Sequence, residues 1–174
     1  SVDAILEHPD VKAVSFVGST NVARYIYSKG TQNGKRVQAQ GGAKNPVIVL
    51  PDADVEMASR IISDSVYGCA GQRCLAASTI VTVGDQSNEI RDALYESSKA
   101  KITGYGLDEK VEMGPVITKD SRDRINYLIQ KGVDEGANIL LDGRDAKISG
   151  FENGNFIAPT ILENVNLTGE VIET

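Results

Sequence analysis

Histidine and cysteine are scarce in this chain of 174 residues, which contains one histidine and two cysteines. A Ser-His-Asp triad or a histidine-based zinc site would have to use His8, which lies in a polar stretch before a proline. Structural zinc needs about four ligands at a recognisable spacing, so we predict no metal site. Cys69 and Cys74 are too few for a disulfide framework. Their scarcity favours a reducing compartment, and we expect a cytoplasmic protein.

Positive charge and long apolar runs are also lacking. The formal net charge is -6, whereas nucleic acids and anionic membranes bind basic surfaces, so we expect neither as a partner. No apolar run approaches the roughly 18 residues of a membrane span. Residues 1–8 lack the basic and apolar regions of a signal peptide. The hydrophobic fraction of 41% and the charged fraction of 24% are typical of a globular protein with one domain or parts of two.

Short β-branched segments alternate with amphipathic helices along the chain, which predicts an α/β fold with a largely parallel sheet. The predicted strands cover residues 11–17, 36–40, 46–50, 78–83, 138–141 and 156–161. The predicted helices cover residues 21–29, a segment that begins near Asp54, and residues 88–102 and 120–132. Either Ser19 or Thr20 would cap the first helix.

Cys74 is the strongest candidate for a catalytic residue. It follows the small-residue segment 68–71, where the backbone can approach a ligand closely. The neighbouring Arg73 favours the thiolate form of the sulfur. A loop that leads into a helix would also direct backbone N–H groups towards a thiolate or an oxyanion. These features suit nucleophilic attack on a carbonyl carbon. The alternative is that Cys74 is a small buried hydrophobic residue, as single cysteines commonly are.

Two glycine-containing turns are candidates for ligand binding. Gly18 and Ser19 connect the first predicted strand to the first predicted helix, whose N-terminus would suit a phosphate group. This turn lacks the three-glycine dinucleotide fingerprint, so it is also consistent with ordinary α/β architecture. Gln40 leads into a second turn at residues 41–46. The spacing alone does not distinguish that turn from an active-site loop.

Three segments, taken in order, resemble the aldehyde dehydrogenase superfamily. They are Phe16-Val17-Gly18-Ser19, Gln40-Gly41-Gly42-Ala43-Lys44-Asn45-Pro46 and Gly71-Gln72-Arg73-Cys74. Residues 114–117 and 154–161 are similar to that family's catalytic domain, so the resemblance covers essentially the whole chain. It implies a three-layer α/β fold, with a mostly parallel sheet and helices on both faces. It also implies that residues 1–44 end an NAD-binding domain and residues 45–174 begin a catalytic domain.

Within the superfamily, the chain most resembles the methylmalonate-semialdehyde dehydrogenases, which pass their acyl group to coenzyme A. Residues 33–39, 142–144 and 151–156 carry this resemblance. Hydrolytic aldehyde dehydrogenases have a glutamate at the position of Gln40, where it activates water. An amide cannot take a proton at neutral pH, so a thioester on Cys74 would persist until a thiol arrives.

The resemblance implies roles for the candidate residues. Cys74 would attack the aldehyde, NAD would accept the hydride, and coenzyme A would take the acyl group. Gly18 and Ser19 would contact the NAD phosphates, and Arg73 would hold the substrate carboxylate. Members of the family assemble as dimers and tetramers, so we expect a homo-oligomer. Other cofactor contacts of the family would lie before Ser1 and after Thr174, and we therefore expect this chain alone to bind NAD weakly and to turn over little.

Three alternative functions remain open to different degrees. The chain is also compatible with a hydrolytic aldehyde dehydrogenase whose base lies elsewhere. A non-catalytic binding or assembly module with the same fold is the alternative from another class. A cysteine hydrolase is disfavoured because His8 is far from Cys74 in sequence and no other residue could serve as its base.

Overall fold

The computed structural model describes residues 1–85 and 87–173. The chain forms two compact units, Ser1–Ala43 and Lys44–Thr174.

The first unit is a βαβ arrangement preceded by a short helix. Its elements are α1 (Val2–Glu7), β1 (Ala13–Val17), α2 (Thr20–Gln32) and β2 (Arg36–Gln40). The two strands pair in parallel, from Ala13 with Arg36 to Val17 with Gln40. Leu6 and Ile26 are buried between the helices and the strands. Since parallel strands need a crossover, α2 brings the carboxyl ends of β1 and β2 to one edge.

The described residues of the second unit form two pairs of strands and four α-helices. Its elements are β3 (Asn45–Val49), α3 (Val55–Tyr67), a 3₁₀ turn (Gly68–Gly71), β4 (Ala77–Thr82), α4 (Ser87–Lys99), α5 (Lys119–Asp134), β5 (Asn138–Leu141), β6 (Ile161–Glu163) and α6 (Glu170–Glu173). β3 and β4 are parallel, whereas β5 and β6 are antiparallel. Val49, Ile62 and Ile90 form the centre of the core between the parallel strands and helices α3 and α4. The Asp54 side chain caps α3 by accepting a hydrogen bond from the Met57 N–H at 2.9 Å.

The predicted α/β class is confirmed, as is the parallel pairing of the first four strands. In the described residues, however, the six strands are distributed over three two-stranded sheets. The strand predicted at residues 156–161 is wrong, because β6 begins only at Ile161. Pro159 has no N–H for a ladder, and the Ala158 N–H donates to the Gly143 carbonyl at 2.8 Å instead. Helices α1 and α6 were not predicted, since their few residues are too short for a periodic pattern.

Lys101 lies two residues after the end of α4 and binds one carboxylate of helix α3 and one further along the chain. Its Nζ donates to Asp64 Oδ1 at 2.7 Å and to Glu112 Oε1 at 3.3 Å, and its side chain is only 9% exposed. Burial lowers the pKa of Lys101, but the hydrogen bonds that it donates to the two carboxylates outweigh burial, and the net shift of the pKa is upward. The stabilisation of the fold by these two contacts is therefore complete below the ordinary lysine pKa. It is lost only as the pH rises through the higher pKa that Lys101 has in the folded chain.

We expect Lys101→Met to lower the free energy of unfolding by about 1 kcal/mol or less, because it removes the charge together with its need for partners. Asp64→Asn combined with Glu112→Gln should cost about 1–2 kcal/mol, because the ammonium loses both compensating charges, although the carboxylates are 64% and 48% exposed and solvent screens part of the effect. Urea denaturation at pH 7 measures both values. An equal loss of unfolding free energy in Lys101→Met and in the double variant would show that the two carboxylates do not offset the charge of the Lys101 ammonium.

Residues 1–85 and 87–173 contain no helix that is long and apolar enough to cross a membrane. Over the same ranges, the side chains that commonly bind metals do not gather in groups of three or more.

Candidate active site

Cys74 lies in a tight turn directly before strand β4. The Ala76 N–H donates to the Arg73 carbonyl at 3.1 Å and closes the turn, with Cys74 and Leu75 at its centre. Cys74 is a free, exposed thiol, and Leu75 is 85% exposed. The alternative in which Cys74 is a buried hydrophobic residue is therefore wrong for this structure. Cys74 is exposed to solvent in this chain.

The loop before Cys74 does not lead into a helix. Strand β4 begins at Ala77, which confirms the strand predicted at residues 78–83, so the chain after Cys74 offers no helix N-terminus to the sulfur. The β-branched residues 79–82 favour this extended backbone.

The Asn45 side chain holds the main chain of this turn. Its Nδ2 donates one hydrogen bond to the Cys74 carbonyl at 2.8 Å and another to the Ala76 carbonyl at 2.9 Å. Asn45 is the first residue of β3 and pairs with Ala77, but the register shifts before Pro46. Because a proline has no N–H, the backbone cannot supply a donor at that position. The Asn45 amide supplies two, and both of its hydrogens are used.

Three consecutive residues before Cys74 have a left-handed backbone. They are Cys69 with φ 53°, Ala70 with φ 52° and Gly71 with φ 71°. For a residue other than glycine this conformation costs on the order of 1–3 kcal/mol, so it persists only where the surroundings enforce it. The backbone N–H and the side-chain amide of Gln72 both donate to the Cys69 carbonyl at 3.0 Å. These two bonds hold the left-handed segment in place.

Gln72 also connects the cysteine loop to the segment that precedes α5. Its Oε1 accepts a hydrogen bond from the Ile117 N–H at 2.9 Å. Ile117 borders a cavity of about 560 Å³ that is also lined by Tyr105 and Phe151. The rings of these two residues stack with their centroids 4.7 Å apart.

Arg73 caps the carboxyl end of helix α3. Its Nη2 donates to the carbonyls of Asp64 and Ser65 at 3.2 and 3.1 Å. A positive charge is favourable at this end of a helix. Gly68 leaves the space for the guanidinium, since a Cβ at that position would collide with it. In this structure Arg73 thus has a structural role in addition to its place beside Cys74.

Within the first unit, Gly18 and Gln40 come together where β1 and β2 end. The Gly18 N–H donates to the Gln40 carbonyl at 3.1 Å, and the Gly42 N–H donates to Thr20 Oγ1 at 3.0 Å. Ser19 is the residue before α2, is exposed, and makes no side-chain bond to the helix. Its hydroxyl and the open N-terminus of α2 are therefore available to an anion. The carboxyl edge of parallel strands is also where α/β folds bind ligands.

The model of the aldehyde dehydrogenase family matches residues 1–174. The chain belongs to this family.

Among curated members of the aldehyde dehydrogenase family, the chain is 46% identical over 165 residues to the mitochondrial methylmalonate-semialdehyde/malonate-semialdehyde dehydrogenase [acylating] of Rattus norvegicus. The match covers 95% of this chain and 31% of the rat protein. The corresponding Arabidopsis thaliana protein is 47% identical over 165 residues, with 95% of this chain and 27% of that protein covered. The similarity to methylmalonate-semialdehyde dehydrogenases that the sequence indicated is confirmed. The chain spans about a third of the length of these relatives.

Solved structures confirm the aldehyde dehydrogenase fold. A Sinorhizobium meliloti protein assigned as a methylmalonate-semialdehyde dehydrogenase, in complex with NAD, superposes with a TM-score of 0.93 at 46% identity. That match covers 99% of this chain and 35% of the other. The methylmalonate-semialdehyde dehydrogenase of Oceanimonas doudoroffii gives a TM-score of 0.93 at 38% identity, with 99% and 36% covered.

Two residues of the candidate site were not recognised in the sequence. Asn45 was assigned only to a turn, because its partners at Cys74 and Ala76 are 29 and 31 positions away. Gln72 lay inside the quoted cysteine segment, but its bond to Ile117 spans 45 positions. The proline after Asn45 was the one available signal, since it removes a ladder donor at the start of a strand.

Proposed function

We propose that this chain is the part of an NAD-dependent, coenzyme A-acylating aldehyde dehydrogenase that carries the nucleophile Cys74. Its substrates are methylmalonate semialdehyde and malonate semialdehyde. The observation that carries the proposal is the exposed Cys74 thiol in a turn held by Asn45. The relatives support the substrate, since the names of the rat and Arabidopsis proteins include methylmalonate semialdehyde and the word acylating.

In this proposal residues 1–44 belong to the NAD-binding domain and residues 45–174 to the catalytic domain. Gly18, Ser19 and the N-terminus of α2 hold a phosphate of NAD, for which an open helix N-terminus and a free hydroxyl are suitable. When bound, NAD supplies a hydride acceptor. The NAD complex of the Sinorhizobium meliloti protein supports this assignment.

The reaction proceeds through a covalent bond to Cys74. The thiolate attacks the aldehyde carbon, and the backbone N–H of Cys74 stabilises the resulting oxyanion. When NAD is bound, it would accept the hydride, and the adduct on Cys74 would become a thioester. The thiol of coenzyme A would then give up its proton and attack the thioester carbon, the bond to Cys74 would break, and the thiolate would be restored. The C–C bond to the substrate carboxylate would also break, so that CO2 leaves and the carbon takes up a proton, which gives propionyl-CoA, or acetyl-CoA from malonate semialdehyde.

Arg73 is the proposed partner of the substrate carboxylate. A guanidinium has five N–H donors, and the two bonds to the carbonyls at the end of α3 come from Nη2. The rest of the guanidinium is suited to a carboxylate, and the bonds to α3 restrict its movement.

Gln40 determines the acceptor in this proposal, because it places an amide where hydrolytic members have a glutamate. The test uses a hybrid enzyme in which residues 1–174 replace the corresponding segment of the Sinorhizobium meliloti protein. We expect its product to be acyl-CoA, with little free acid formed when coenzyme A is omitted. Gln40→Glu should raise formation of free acid without coenzyme A by about 100-fold, the lower range for a general base.

Product analysis by mass spectrometry, with and without coenzyme A, decides between the acceptors. Free acid formed equally fast without coenzyme A in the unmodified hybrid enzyme would contradict the acylating function and favour hydrolysis. No NADH at all would favour a non-catalytic module. The 174-residue chain alone is the negative control. We propose that it turns over little, because it spans 31% of the rat relative and its first unit contains a single pair of strands.

Two properties of the intact protein are part of the same proposal. We propose a homo-oligomer, which size-exclusion chromatography with light scattering measures. We also propose a cytoplasmic location, on the basis of two free cysteines. The rat and Arabidopsis relatives are named as mitochondrial, so cell fractionation is the relevant measurement.

A further inference from the structure

We propose that Asn45 is a positioning residue that sets the orientation of Cys74. This role rests on the proposed function of Cys74 as the nucleophile. Asn45 does not need to touch the substrate, since it acts through the main chain of the turn. Its effect is on where the sulfur lies when the aldehyde arrives.

Asn45 binds two carbonyls of the turn that contains Cys74. The Cys74 carbonyl belongs to the peptide between Cys74 and Leu75, so the 2.8 Å bond fixes the plane of that peptide. The 2.9 Å bond to the Ala76 carbonyl fixes the other end of the turn. Between these anchors, the Ala76 N–H is already bound to the Arg73 carbonyl. The rotation of the backbone at Cys74 is thus restricted on both sides.

The hydrogen bonds of Asn45 lead to the cysteine turn and not to the core, which favours a positioning role over general stabilisation of the fold. Asn45 is half-buried at the start of β3, outside the core cluster of Val49, Ile62 and Ile90. Its side-chain amide donates both hydrogens to the turn that holds the sulfur. A nucleophile has to be held within a narrow range of positions, and a displacement of about 1 Å lowers the rate by up to about 100-fold.

The chain offers a matched control at Ser78. Its Oγ lies 3.5 Å from the Asn45 carbonyl, so it is close to the same strand end, but its bond goes to Asn45 and not to the cysteine turn. Ser78→Ala therefore tests the neighbourhood without removing a contact of Cys74. Asn45→Ala removes both donors. Asn45→Asp keeps the shape and places carboxylate oxygens against two carbonyl oxygens.

The first measurement uses the 174-residue chain itself and iodoacetamide as the probe. Peptide mass spectrometry gives the alkylation rates of Cys74 and Cys69 on the same molecules, at several pH values. We expect the ratio of the Cys74 rate to the Cys69 rate to change in Asn45→Ala and in Asn45→Asp, because a freed turn alters the access to the Cys74 sulfur and its surroundings. Ser78→Ala should keep the ratio of the unmodified chain over the whole pH range.

The second measurement uses the hybrid enzyme, with active sites counted by titration so that unfolded molecules do not contribute. We expect Asn45→Ala to lower kcat about 10- to 100-fold with little change in KM. An unchanged alkylation ratio together with an unchanged kcat would overturn the positioning role. So would a parallel change in the Cys74 and Cys69 rates, because that is the result of lost folding alone.

Failure of the proposed function gives a different result. An unmodified hybrid enzyme that forms no NADH contradicts the aldehyde dehydrogenase activity. The alkylation ratio in the 174-residue chain still decides whether Asn45 positions Cys74.

Discussion

Cys74→Ser is expected to lower NADH formation by the hybrid enzyme by about a thousandfold or more, with no compensating change in KM. A serine hydroxyl is a far weaker nucleophile than a thiolate, because it keeps its proton at neutral pH. The measurement is the rate of NADH appearance at saturating aldehyde, NAD and coenzyme A.

Cys69→Ser is the matched control for this experiment. Cys69 is also an exposed free thiol and lies five positions earlier in the same loop. We expect the control to keep most of the activity, because the bonds from Gln72 go to the Cys69 carbonyl, which serine also has. A loss as large as that of Cys74→Ser would identify Cys69 as the nucleophile or as an essential partner.

Ile62→Ala is expected to lower the free energy of unfolding of the 174-residue chain by about 2–4 kcal/mol. Ile62 is 4% exposed and packs in the core cluster with Val49 and Ile90. Replacing the Ile62 side chain by a methyl group leaves a cavity that strands β3 and β4 can fill only by moving. Urea denaturation followed by circular dichroism gives the value.

Ile61→Ala provides the comparison on the same helix. Ile61 differs from Ile62 by one position along α3 but is 58% exposed, so its replacement should cost about 0.5 kcal/mol or less. Similar losses of unfolding free energy in Ile61→Ala and Ile62→Ala would show that α3 does not bury Ile62 in solution.

The order of helices and strands was predictable because side-chain periodicity is a local property. The apolar residues of α3 recur at helical spacing, and the structure buries that face at Ile62 and half-buries Val66. Asp54 was recognisable as the start of α3 for the same reason, since a cap acts on residues three positions away. The parallel pairing of β1 and β2 followed from the intervening α2.

The contacts that define the candidate site were less predictable, because they join distant positions. The identity of Cys74 as a candidate came from its own neighbours, but its exposure and its turn came only from the structure. The strand after it was predictable, since residues 79–82 are all β-branched. Arg73 was assigned to a substrate carboxylate, and nothing in its immediate sequence indicated that it also binds the end of α3.

The left-handed segment that precedes Cys74 means that this loop is not at its stability optimum. Cys69 and Ala70 both adopt a backbone that glycine tolerates better. Natural sequences retain such residues when function sets the requirement and stability only has to exceed a threshold. The loop accordingly keeps a specific backbone shape at a cost in folding free energy.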